Sequence, residues 1–412
     1  MDFNDTPEEA AFRAEVRSWL DAHAKPKSES AENVRGALSE AEALKRAKAW
    51  QALKAEKGYA KITWPKEWGG LGGTPMQSVI FSQEEQKFDV PGGFFDIGLG
   101  MCIPTLMTYA AKDVLDRFVG PALRGEEIWC QLFSEPSAGS DVAGLRTRAE
   151  RDGDDWVING QKIWTSGAHY SDYGILLTRT DPTVPKHKGL TMFWLSMKSP
   201  GVEVRPIKQL NGGANFNEVF FTDVRIPDAQ RLGNVGDGWK VALTTLMHER
   251  LAVGGGAGGM GASWRELLVL ARTLELADGP AIRNNAVREK LADFYVRTQG
   301  LKYTTYRTMT ALSKGQIPGP EASIGKVVSA PTLQDLSAFA IELEDMGGIM
   351  TDRDDVPMEA AFQQSYMWAP GLRIAGGTDE ILKNIIAERV LGLPGDMRAD
   401  KDVAFKDLPS GR

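Results

Sequence analysis

Cysteine and histidine are scarce in this chain of 412 residues, which has two Cys (Cys102, Cys130) and four His (His23, His169, His187, His248). Neither cysteine belongs to a CxxC pair, so the sequence offers no disulfide framework and no cysteine-based zinc site. That usage fits a reducing compartment. The histidines lack ligand spacing, so no metal is expected. Positive charge is also short: 48 Lys and Arg against 55 Asp and Glu leave a net charge of −7. Binding to phosphate backbones needs a basic surface, so a nucleic-acid partner is not expected. No apolar run reaches the roughly 18 residues that mark a bilayer span, so no integral-membrane segment is expected. The N-terminal stretch through Val16 is acidic and amphipathic, without the positive n-region and apolar core of a signal peptide. A cytoplasmic location is the expectation.

With 42% hydrophobic and 25% charged residues, the composition is that of an ordinary globular protein. At about 150 residues per domain, the length predicts two or three domains. Three regions differ in pattern. Residues 1–127 read as helices, beginning at the N-cap signal Thr6-Pro7-Glu8-Glu9 and the apolar stripe Phe12, Val16, Trp19 and Leu20. A second helix runs from Ser39 to a stop at Gly58, and the polar stretch Ser28–Gly36 reads as a mobile loop. From Ile128, short runs rich in aromatic and β-branched residues alternate with turn formers. They predict six or seven strands at 128–234, Trp156–Asn159 and Lys162–Thr165 among them, in an antiparallel barrel or sandwich. Helical periodicity returns over 235–395, with amphipathic helices expected at Asp335–Met346 and Thr378–Leu391, and the polar tail 396–412 is expected to be loosely held.

Five segments invite a chemical reading, and each has a plainer one. Gly254–Gly261 satisfies GxGxxG in two frames. The residues before it (Trp239, Leu243, Leu246, Arg250) have helical spacing, however, so a Rossmann turn is rejected and close backbone approach is favoured. Ser134-Glu135-Pro136-Ser137-Ala138-Gly139-Ser140-Asp141 is either a surface turn or a nest facing a polar cofactor edge. Gly160–Ala168 carries Trp164 and Thr165 at a strand end, suited to covering an aromatic ring or to ordinary core packing. Glu249 shares a helical face with Ala242, Thr245, Leu246, Ala252 and Val253. It is therefore either ion-paired or desolvated, and alone the ion pair is the commoner case. Gly376-Gly377-Thr378 suits a tight loop capped before a helix, whose N-terminus can bind phosphate or simply be capped.

In this order along one chain, the segments resemble the acyl-CoA dehydrogenase family. The resemblance covers nearly the whole sequence. It is carried by Ile62–Gly70, Gly125–Asp141, Asn159–Gly167, Asn211-Gly212-Gly213 with Phe216–Val219, and Gly376–Arg389. It implies an α+β multidomain fold, with an N-terminal helical domain, a middle antiparallel β-barrel-like domain and a C-terminal four-helix bundle. It also implies FAD, a homodimer or homotetramer, and an electron-transfer flavoprotein as acceptor. By motif, Leu132, Ser134, Gly139 and Ser140 would lie along the flavin, and Trp164, Thr165 and Ser166 would flank its ring. Thr378 and Glu380 would lie near the pyrophosphate and adenine half. Ser140, Leu246, Arg250, Gly376 and Gly377 would meet the acyl-CoA. Many relatives carry the catalytic glutamate in the loop just before the Gly-Thr pair, where this chain has Gly376. A second group carries it before an Arg-Leu pair, and here Glu249-Arg250-Leu251 fills that position, which makes Glu249 the expected base.

Three departures bear on the FAD contacts between subunits. The usual Arg-Phe-Gly is replaced by Ala271-Arg272-Thr273, leaving Arg272 as a substitute. The common Gly-Thr-Glu-Glu-Gln segment reads Ala110–Val114. The glycine-rich FAD loop survives as Gly347-Gly348 between Met346 and Ile349. The implied reaction is α,β-dehydrogenation of an acyl-CoA thioester. The alternatives are an acyl-CoA oxidase or nitroalkane-oxidase-like enzyme using oxygen, and a non-catalytic flavin-binding assembly subunit.

Overall fold

The structure is a computed structural model that describes residues 5–27, 39–253, 261–314, 319–398 and 400–409, without the side chains of 249–253, 312, 313 and 322. The expected loop Ser28–Gly36 and the glycine run from Gly254 to Met260 lie outside the described residues. The chain divides into two compact units. One comprises Met1–Gln209, Gly213–Ala252 and Asp396–Arg412, and the other Leu210–Gly212 and Val253–Gly395.

The first unit begins with helices whose starts are written locally. α1 (Pro7–His23) and α2 (Glu40–Glu56) open with capping boxes from Thr6–Glu9 and Ser39–Glu42, and Thr74–Gln77 does the same for α3 (Pro75–Glu85). Each box satisfies backbone donors that a helix start leaves without partners. Gly58, at φ +80°, follows α2 in the left-handed conformation that glycine adopts without strain. Phe12, Val16 and Leu20 of α1 pack with Trp50, Tyr59, Ile80 and Phe81. A two-residue pairing of β1 (Lys25–Pro26) with β2 (Phe88–Asp89) ties the connections together. A π-helical turn, Gly98–Cys102, leads into α4 (Ile103–Tyr109), and α5 (Lys112–Leu123) follows.

The eight strands that follow form one sheet. They are β3 (Trp129–Leu132), β4 (Arg148–Asp152), β5 (Asp155–Ser166), β6 (Tyr173–Arg179), β7 (Leu190–Ser196), β8 (Val202–Ile207), β9 (Phe216–Pro227) and β10 (Arg231–Leu232). Their order is β10-β7-β6-β4-β5-β9-β8, with β3 beside β6. Most pairings are antiparallel, but β3 runs parallel to β6, and β4 meets β6 in parallel at Arg148 and Arg179. Two of the expected strands, Trp156–Asn159 and Lys162–Thr165, are one continuous β5. β4, whose only buried residue is Ala149, carried too much charge to read as a strand. α6 (Gly238–Val253) then packs back on the N-terminal helices. Thr245 Oγ1 lies 2.9 Å from Thr105 Oγ1, both buried, and Tyr109 OH lies 2.9 Å from Thr244 Oγ1.

The second unit holds α7 (Trp264–Thr273), the short pair β11 (Glu275–Leu276) and β12 (Gly279–Pro280), then α8 (Asn285–Ser313), α9 (Ser323–Leu343), α10 (Ala361–Leu372) and α11 (Asp379–Arg389). Its core joins Leu267, Leu270, Phe294, Leu336, Ala340 and Phe362. α9 starts well before the expected Asp335 and accommodates Pro331 in its interior. Proline removes one helix hydrogen bond, so local preference disfavours a helix through this position.

The terminal segment departs from expectation. Rather than hanging loose, residues around 400–408 dock on the β6–β7 loop, where Phe405 N donates to Val184 O and Lys406 N to Pro182 O, both at 2.9 Å.

Candidate functional site

The β5 strand shows how an alternating pattern is broken to build a site. Trp156 and Ile158 face inward, and Lys162 keeps that phase with its side chain fully buried. Pairing with β9 then slips between Lys162 and Thr165. Such a bulge re-aims the side chains that follow it. Trp164 takes φ +59°, unusual for a bulky residue, and its ring stands 56% exposed with an edge against Phe216. Thr165 turns inward instead. Its Oγ1 is buried and has no hydrogen-bond partner among the described residues. A buried hydroxyl left unpaired costs about 1–3 kcal/mol, which a ligand atom at that position would offset.

Beneath this strand end lies an ion pair that sequence reasoning missed. Lys162 Nζ donates to Glu135 Oε1 at 2.8 Å and to Phe133 O at 3.0 Å, and the two side chains are 0% and 4% exposed. Glu135 also accepts Arg146 N at 2.6 Å and Thr147 N at 2.9 Å. Burial works against its charge, but Lys162 and these donors outweigh it and hold the carboxyl below its ordinary range. Ser134 O accepts Ile163 N at 2.9 Å. The pair and this bond lock the end of β3 to β5. The structure therefore gathers Leu132 (buried), Ser134 (half-buried), Trp164, Thr165 and Ser166 into one neighbourhood, with Gly139 and Ser140 exposed on the turn that follows. The available signal was strand phase: with Trp156 and Ile158 inward, Lys162 is inward too.

Glu249 and Arg250 lie in the last turns of α6, and their side chains fall outside the described residues. What is described is the support one turn earlier. Leu246 is half-buried, and Thr245 is held to Thr105, whose Oγ1 also donates to Met101 O in the π-helical turn. His248 has its pKa lowered by burial and then by Lys61, which favours a neutral imidazole.

In the second unit, Gly376 and Gly377 have φ +64° and +94°. Both lie in the left-handed region, which glycine adopts without strain. Lys326 Nζ donates to the carbonyls of both Ala375 and Gly377, fastening the loop to α9. Thr378 caps α11 by accepting Ile381 N, and Glu380 is exposed in its first turn. Gly348 is buried so tightly that a β-carbon would collide with Ile341 O, and Gly347 is half-buried beside it. Arg272 is exposed in the last turn of α7, on a different element from the loop at 376–380. Among the described residues, no cluster of three or more His, Cys, Asp or Glu suits a metal ion, and no helix is long and apolar enough to cross a membrane.

Comparison with known proteins gives this geometry a lineage. Three family models match in succession: acyl-CoA dehydrogenase N-terminal domain over residues 6–126, middle domain over 130–224 and C-terminal domain over 236–391. The acyl-CoA dehydrogenase IpdE1 of Mycobacterium tuberculosis is 37% identical, with the match covering 94% of this chain and 98% of that protein. FadE34 of the same organism is also 37% identical over 88% of this chain, which spans about half (48%) of FadE34's length. Among solved structures, the Tcur3481-Tcur3483 steroid ACAD superposes with TM-score 0.80 at 27% identity, covering 96% of this chain and all of that one. The ChsE4-ChsE5 complex from Mycobacterium tuberculosis gives 0.79 at 28% identity, with the same coverage of both chains. The chain belongs to the acyl-CoA dehydrogenase family, whose members are FAD-dependent oxidoreductases.

Proposed function

We propose that this protein converts an acyl-CoA thioester to its trans-2-enoyl-CoA, with Glu249 as the base. The observation that carries the reading is the end of β5, where an exposed Trp164 in a left-handed backbone stands beside the unpartnered Thr165 hydroxyl. A flat ring with a polar edge answers both features, so the residues fit a flavin. FAD, when bound, supplies the acceptor for the β-hydride.

The chain's own residues then have distinct tasks. Glu249 takes the α-proton, and the α-C–H electron pair becomes the Cα=Cβ double bond as the β-hydride leaves. That proton is too weakly acidic for an unaided carboxylate, so backbone N–H donors at the thioester carbonyl must stabilise the developing enolate. Trp164, Thr165 and Ser166 position the ring, and Leu132, Ser134, Gly139 and Ser140 line its other edge. Thr378, Glu380, Gly347, Gly348 and Arg272 serve the nucleotide half. Ser140, Leu246, Arg250, Gly376 and Gly377 meet the acyl-CoA.

The substrate class we propose is a bulky, ring-bearing acyl-CoA, supported by the likeness to a steroid ACAD. Electrons pass to an electron-transfer flavoprotein in the cytoplasm, and the chain assembles as a homodimer or homotetramer. One finding favours a second assembly, with a different but related chain: the ChsE4-ChsE5 neighbour is itself a two-chain complex. Native mass spectrometry of the chain purified alone separates the two assemblies.

A spectrophotometric screen of steroid-ring and straight-chain CoA thioesters against the flavin-loaded protein tests the function. Flavin bleaching by ring-bearing thioesters supports it, and no bleaching by any thioester contradicts it. Rapid oxygen consumption on substrate addition would favour an oxidase.

A further inference from the structure

The C-terminal segment lies against the turn that follows the Ser134–Asp141 motif, and two buried cations join them. Lys186, on the β6–β7 loop and with a 7% exposed side chain, contacts Asp141 Oδ2 at 2.7 Å and Asp400 Oδ2 at 2.5 Å. Arg179, the last residue of β6, spends its guanidinium on backbone carbonyls. Nη2 donates to Ala143 O at 2.6 Å, Nε to Leu145 O at 3.1 Å and Nη1 to Lys186 O at 3.2 Å. The Phe405 ring covers this cation, with its centroid 3.4 Å from Arg179 Cζ. Besides the two backbone bonds from Phe405 and Lys406, Ala404 forms an isolated bridge with Pro185.

Ala143 and Leu145 anchor the turn in the core and Glu135 holds Arg146 N and Thr147 N, so what is left to the tail is the exposed start of the turn. Between Asp141 and Leu145 it makes one 3-10 turn, Val142–Gly144, and Gly139 and Ser140 before it are exposed. Charged donors hold carbonyls more strongly where water is excluded, because the local dielectric falls. An aromatic face replaces the water that would otherwise solvate the guanidinium, and the attraction between the two grows on desolvation. The tail therefore adds an aromatic cover to Arg179 and a second carboxylate to Lys186.

We propose that Phe405 and Asp400 are positioning residues for the Ser140–Leu145 turn, sealing Arg179 and Lys186 so that the turn presents Ser140 to the bound acyl-CoA in a single geometry. The inference rests on the functional reading in which Ser140 meets the acyl-CoA. Phe405 and Asp400 touch neither cofactor nor substrate in this arrangement, so their removal weakens substrate binding more than it slows chemistry.

The test uses full-length, flavin-loaded protein as wild type, Phe405→Ala, Phe405→Tyr and Asp400→Asn. Backbone hydrogen exchange is followed by mass spectrometry on peptides spanning 139–147, beside steady-state kinetics on the acyl-CoA found in the screen. In Phe405→Ala, exchange at 139–147 should quicken about tenfold while the rest of the sheet keeps its protection. KM should rise about fivefold with kcat within about twofold. Phe405→Tyr, which keeps the ring, should restore both, and Asp400→Asn should give a smaller change in the same direction. Equal exchange in wild type and Phe405→Ala overturns the proposal, as does an acceleration spread evenly over the protein. A loosened turn with unchanged KM overturns the link to acyl-CoA binding. Because exchange is read without substrate, a loosened turn in a protein that processes no thioester would support the strap and overturn the function instead.

Discussion

At the scale of single residues, Thr165 and Lys162 are neighbours on β5 with opposite problems. The Thr165 hydroxyl is buried without a partner, whereas Lys162 is buried with its charge fully engaged. Thr165→Val keeps the shape and removes the orphan. It should leave the apoprotein as stable as wild type or slightly more so, while weakening FAD binding about tenfold, near 1.4 kcal/mol. Thermal melts of the apoprotein and a flavin titration check both signs, and unchanged FAD affinity would contradict the assignment. Lys162→Met strands the Glu135 carboxylate in the interior and should cost about 3–5 kcal/mol in denaturant unfolding. Adding Glu135→Leu should recover part of that loss, since an apolar pair of similar volume replaces a broken ion pair. Strand phase made Lys162 legible as inward-facing. The exposure of Trp164 was not legible, because it depends on pairing with residues of β9 more than fifty positions away.

At the scale of elements, α1 and α3 are joined by one carboxylate. Glu84 has a fully buried side chain, with Arg13 at 2.9 Å, Arg17 at 3.1 Å and Lys87 at 2.8 Å. Burial pushes its pKa up, but the three cations outweigh that and bring it from 4.5 down to about 2. A folded-state pKa below the unfolded one adds stability that is complete above about pH 4.5 and is lost as pH falls through about 2. The cations are partly solvated, so the contribution is discounted to about 2 kcal/mol. Glu84→Gln should therefore be less stable than wild type by about 2 kcal/mol near neutral pH, and the gap should close as pH approaches about 2. Urea midpoints at several pH values read this, and a gap independent of pH would contradict it. The helix starts at Thr6 and Ser39 were legible because a capping box is a four-residue signal. α9 begins before the expected Asp335 and holds Pro331 in its interior, and β4 forms although four of its five residues are charged. In both cases tertiary packing overrides local preference, and packing is not visible in a short window.

At the scale of the whole molecule, the order helices, strands, helices was legible from changes in period, and family membership from the order of motifs. The docking of the C-terminal segment was not, since Asp400 and Phe405 find partners some two hundred residues earlier in the chain. If FAD binds only the folded protein, its removal should lower stability by about 2.7 kcal/mol relative to a sample holding FAD at about a hundred times its dissociation constant. Melts of apoprotein and reconstituted protein measure this, and coincident curves would count against a bound flavin. The central claim is that Glu249 takes the α-proton of a bound thioester. Its most direct test is anaerobic mixing of the flavin-loaded protein with the preferred acyl-CoA, comparing wild type with Glu249→Gln. The account predicts rapid flavin bleaching in the wild type and a rate at least about a thousandfold slower in the variant, with FAD still bound. Bleaching of Glu249→Gln at the wild-type rate would contradict it.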